Sequence, residues 1–203
     1  MKFNKFTVLL TAAAAASVPL SAMAHVGADG GGHHSLLDSF SHAIAHPFTG
    51  ADHLAAMLAV GAWSALTVRP AWRAPAAFIA LLVAGALAGF AGLWVPGVEP
   101  MIAASVLVLG LLLAVQQKMA WGAAAGMAGV FAFFHGAAHG YELAADTGMV
   151  AVGALAGMAL GSALLHVCGM VLGQTLLQRH RWLASLGGVA TAVLGVFMLT
   201  RLA

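Results

Sequence analysis

Charge is nearly absent from this sequence. Only 7% of its 203 residues are Asp, Glu, Lys or Arg, against roughly 25% in a soluble globular domain. With 62% hydrophobic residues, too little polar surface remains to cover a water-exposed fold, so the chain is read as an integral membrane protein. Cysteine is equally scarce. Cys168 stands alone inside an apolar run, which excludes a disulfide framework. The six prolines fall mostly at the ends of apolar runs. No phosphate-binding loop or other nucleotide motif is present, which argues against ATP hydrolysis by this chain. No internal repeat or soluble domain is evident.

What the chain does have is apolar runs of about 17–25 residues, the length of a membrane helix rather than of a barrel strand. Its 25 glycines suit close helix packing in lipid. Residues 1–24 read as a signal peptide. Lys2 and Lys5 precede the apolar stretch Phe6 to Ala16, Pro19 follows, and Ala22-Met23-Ala24 forms an A-x-A cleavage site. Cleavage removes both lysines and leaves six basic against six acidic side chains. The slightly basic whole-chain charge is therefore no sign of nucleic acid as a partner. Cleavage also makes His25 the N-terminus, where a free amine and its own imidazole form a candidate metal chelate.

Residues 25–46 form a His-rich segment on the periplasmic side. Gly27 to Gly32 is a flexible link. Asp38, His42 and His46 recur four apart, on one face of a short helix. Leu37, Phe40 and Ile44 give that helix an apolar side suited to the membrane surface. Proline fits the first turn of a helix, so the membrane domain, residues 47–203, is expected to begin near Pro47. Six spans follow, at about 48–68, 74–94, 101–117, 121–142, 149–173 and 182–200. The expected fold is all-α, a polytopic membrane helix bundle with six transmembrane helices after signal peptide removal. With the mature N-terminus periplasmic, Arg69, Arg73, Lys118, Arg179 and Arg181 fall on the cytoplasmic side and only Arg201 outside, so five of the six basic residues follow the positive-inside rule. The acids and most histidines fall on the other side, where they attract cations.

Two sets of polar side chains break the apolar pattern. On a helix His135, His139 and Glu142 sit at i, i+4 and i+7, within about 40° of one another. Imidazole and carboxylate in a membrane helix are costly without a partner, and they are donors for a divalent transition metal. The second set is His46, Asp52 and His53. On an unbroken helix His46 and His53 would lie roughly 10.5 Å apart along the axis, too far to share one ion. The chain is therefore expected to bend at Pro47–Gly50. Glu99 and Asp146 are candidates for shaping the entry field. His166 reads as a buried histidine bonded to a backbone carbonyl, with an inward continuation of the ion path as the alternative, and Met57 and Met127 read as core filling.

The stretch His46-Pro-Phe-Thr-Gly-Ala-Asp52-His53 resembles the first-helix motif of the HupE/UreJ nickel permeases. Phe134-His135-Gly-Ala-Ala-His139-Gly-Tyr-Glu142 is similar to that family's second motif. Signal peptide, length and six spans agree with the resemblance. It implies an inner-membrane secondary permease for Ni²⁺, with Co²⁺ as second candidate, feeding nickel enzymes such as hydrogenase or urease. By that match the functional residues are His46, Asp52, His53, His135, His139 and Glu142. His25 and His42 are weaker metal candidates.

The expected partners are the ion and the bilayer, with no nucleic acid, nucleotide or prosthetic group, and a homo-oligomer is left open. Uptake is expected to fall below about pH 6, where ordinary histidines take a proton. The rival reading is an intramembrane zinc-dependent hydrolase built on the same cluster. Against it, His135 lacks the following Glu of the H-E-x-x-H motif. A bis-histidine haem protein is a third reading.

Overall fold

The computed structural model describes residues 35–142 and 148–202. Among these there are seven α-helices, one π-helical turn and no strand. Helix α1 spans Leu36–Thr49 and α2 spans Ala51–Thr67, separated only by Gly50. They are followed by α3 (Arg73–Phe90), α4 (Val98–Val115) and α5 (Trp121–Glu142). Last come α6 (Met149–Leu172), prolonged by the π turn Gly173–Leu177, and α7 (Arg181–Arg201). The molecule is a helical membrane bundle. Four helices are long and apolar enough to cross a bilayer: α3, α4, α6 with its π turn, and α7. Helices α2 and α5 occupy the other two expected spans and, with the end of α1, carry the polar donors.

Pairwise seams built on glycine hold the bundle together. Along α6, β-carbons at Gly153, Gly157 and Gly161 would strike the backbone carbonyls of Leu36, Phe40 and Ile44 in α1. Further along, Gly169 and Gly61 bring α6 and α2 into the same kind of contact. The broken rod α1–α2 thus lies beside the single long rod of α6. In the second seam, Gly85 and Gly89 of α3 face Gly136 and Gly140 of α5, each glycine seated on the opposite backbone. In the third, Gly110 of α4 meets Gly188 and Ala192 of α7. Such contacts replace the missing hydrophobic drive between helices in lipid. Gly122 and Gly126 of α5 belong to no such seam. Nothing lies within 4 Å of where their β-carbons would be.

Two local expectations change. The helix through His46 does not stop at Pro47; it runs to Thr49 with Pro47 inside it. Proline lacks the N–H that would bond the Ala43 carbonyl, and the helix ends two residues later, at Thr49, with Gly50 as its cap. Helix α1 also packs lengthwise on the first half of α6, where its Phe40 and Ile44 positions meet Gly157 and Gly161 and Ser39 Oγ donates to Val150 O at 2.9 Å, a protein contact that the sequence did not anticipate. Its start is capped by Ser35, whose hydroxyl accepts from Asp38 N. The core itself is apolar. Trp63, Phe78, Met57 and Leu82 are fully buried, and Trp63 Nε1–H donates to Gln117 O at 2.8 Å.

Candidate metal centre

The interruption at Gly50 sets the site. Gly50 ends α1 in an extended conformation (φ −81°, ψ 118°) and starts α2. The change of direction brings the His46 ring within 5.3 Å of the His53 ring and 5.0 Å of the His139 ring, centroid to centroid. His46, His53 and His139 each offer one nitrogen, and these three nitrogens lie within 4.8 Å of one another. His53 Nε2 and His139 Nε2 are 2.9 Å apart. One of them must carry the proton and donate to the other. Gly50 has a second effect. A β-carbon there would sit 3.1 Å from Asp52 Oδ1 and 3.2 Å from His53 Nδ1, so glycine keeps this corner open.

The other predicted donors surround this trio. Asp52 is 1% exposed, and its Oδ1 lies 3.1 Å from His53 Nδ1. The contact lacks the alignment of a hydrogen bond. Among the described residues, neither carboxylate oxygen nor His53 Nδ1 has a hydrogen-bond partner. A buried carboxylate in that state is expensive without nearby positive charge. Asp52 gains part of it from its place in the first turn of α2, at the positive end of the helix dipole. Glu142 acts on His139 from behind, its Oε2 3.3 Å from Nδ1. A carboxylate on the far nitrogen orients a metal-binding imidazole and leaves Nε2 to the ion.

His135 is fully buried and its ring lies 5.1 Å from that of His53. Its Nε2 is 2.8 Å from Ser105 Oγ, which is itself 2.6 Å from Ile102 O. The serine has one proton. Donated to the Ile102 carbonyl, it leaves Oγ free to accept from His135 Nε2–H, and both contacts become hydrogen bonds. In that tautomer Nδ1 of His135 carries a lone pair, and it has no partner among the described residues. His46 Nε2 is in the same state. Each buried polar atom left unpaired costs about 1–3 kcal/mol, so this concentration in one corner argues for a ligand.

The six residues of the two motifs thus meet in one region, from the α1–α2 break and the last two turns of α5. His42 is exposed one turn before His46 and does not join the close trio. His25, Asp146 and the cleavage site lie outside the described residues. Sequence reasoning missed Ser105, a single hydroxyl within the apolar run of α4, and the role of Gly50 in leaving room.

A family model described as HupE / UreJ protein matches residues 12–198. The chain is also 37% identical over 201 residues to Protein HupE of Rhizobium leguminosarum bv. viciae, covering 98% of this chain and 99% of that protein. No solved structure matches it.

Proposed function

This chain belongs to the HupE / UreJ family, and on that premise we propose that it is an inner-membrane permease taking up Ni²⁺, with Co²⁺ as the second cargo. The observation that carries the proposal is the meeting of His46, His53 and His139, from segments far apart in sequence, at one buried point. Helices α2 to α7 would cross the membrane, with the His-rich tail in the periplasm. That tail and the acidic end gather hydrated cations. Neutral imidazoles of His46, His53 and His139 replace part of the water shell, and Asp52 offsets the double charge. Glu142 holds His139 in place, and His135 receives the ion on its inward course. No step calls for covalent turnover. Protons compete for the same nitrogens, so acid works against loading.

The choice of nickel as cargo rests on the family; the donor set of imidazoles with a nearby carboxylate suits a divalent transition ion.

The test is uptake of radiolabelled nickel into vesicles containing the full-length protein. Asp52→Asn and His139→Ala should each lower the initial rate by at least about tenfold, as loss of metal-site residues does. Wild-type rates in both variants would end the proposal. Hydrolytic turnover without flux would favour the zinc hydrolase.

A further inference from the structure

Beyond the outer cluster one more buried imidazole is built to accept a cation. His166 lies in α6, 1% exposed, about 25 Å along the helix from Met149. Its Nδ1 is 2.7 Å from Ser162 O. A carbonyl only accepts, so Nδ1 carries the proton and Nε2 is left with its lone pair. That Nε2 is buried and has no hydrogen-bond partner among the described residues. The ring packs edge-on against Phe78, 4.8 Å between centroids. The Phe78 ring is also 6.1 Å from that of His135, centroid to centroid, and the His135 Nδ1 is bare too. One fully buried aromatic ring therefore neighbours two imidazoles, each pinned through one nitrogen and open at the other.

We propose that His166 is a second, inner station for the divalent transition cation, reached from His135 past the ring of Phe78. The assignment rests on the permease reading for its direction, outer cluster to His166, but not for the existence of the site. Rings in contact lead from His139 to His53, to His135, to Phe78 and to His166. The chemistry suits transit. The outer cluster offers three close nitrogens and His166 one, so the ion is held more loosely further in and can leave. A closed, tight inner site would trap it. Phe78, the ring that neighbours both, contributes no donor of its own.

The experiment has two arms on the full-length protein. Titration of the purified protein with Ni²⁺ alone is expected to give two classes of site. His166→Ala should remove the weaker and leave the Kd of the tighter within twofold. His139→Ala should abolish the tighter. Vesicle uptake by His166→Ala should fall at least tenfold. In a Cys168→Ser background His166→Cys, which restores a metal ligand, should recover part of the flux, whereas His166→Asn, which keeps only hydrogen bonding, should not. A purely structural histidine would give the opposite order of rescue and overturn the proposal. So would a single class of site in the wild type, or unchanged uptake in His166→Ala. If the wild type binds two ions and transports none, the permease reading fails and the inner site stands.

Discussion

A single hydroxyl decides which nitrogen of His135 keeps its lone pair. With Ser105 in place, the chain from His135 Nε2–H through Oγ to the Ile102 carbonyl keeps the proton off Nδ1. In Ser105→Ala the ring loses that anchor and populates both tautomers. Ring-nitrogen NMR of the metal-free protein should show Nε2 protonated and Nδ1 bare in the wild type, and a mixture in Ser105→Ala. Uptake should fall by about 10–100-fold, the usual effect of removing a group that orients a metal ligand. A wild-type ring protonated at Nδ1 would refute this. The six motif residues were legible in the sequence because imidazole and carboxylate in a membrane helix demand a reason. Ser105 was not. A serine can satisfy itself on its own helix backbone, so its presence in α4 raises no question until His135 is seen beside it. Nor did spacing alone reveal that Glu142 stands behind His139, whereas the expected bend at Pro47–Gly50 is present and brings His46 beside His53.

At the scale of elements, the site depends on how closely α3 and α5 approach. Gly136 immediately follows His135, and its missing β-carbon leaves room for the Leu82 carbonyl and Ala86 N. Gly136→Ala must push the helices apart, and overpacking of this kind costs about 1–3 kcal/mol. Gly126→Ala, on the same helix but facing open space, should change stability by no more than about 0.5 kcal/mol. Thermal unfolding in detergent should separate the two: a clear fall in Tm for the first and little change for the second. Equal Tm values would show that this seam does not govern stability. All six expected spans are helices, because their apolar runs are long and Gly, Pro and charge punctuate them. The helix partners were illegible, since four-residue glycine spacing marks a face of small residues and not what covers it. Gly85 and Gly122 look alike in sequence and differ entirely in surroundings. At Pro47 the expected helix start gave way to a helix end, because the interruption is carried by Gly50 after it.

The whole molecule has two unlike ends. At one, Arg73 stacks over Trp121 at 4.2 Å, Arg181 Nη1 donates to Gln116 Oε1, and Arg69 Nη1 donates to Ala65 O. At the other, Trp94 stacks on Tyr141, and the Tyr141 hydroxyl donates to Leu93 O while accepting from Val95 N. His139 lies within one turn of that second end of α5. The charge asymmetry was visible in the sequence and predicts orientation, with the arginine-bearing end cytoplasmic. Direction of transport depends on it, since the cluster is nearer the opposite face. In a Cys168→Ser background, a membrane-impermeant maleimide added outside spheroplasts should label Gly97→Cys, on the loop before α4, and spare Gln178→Cys, on the loop before α7. Permeabilised cells should label both. The reverse pattern would put the cluster at the cytoplasmic face, so that the histidines would load from inside and the protein would export its ion.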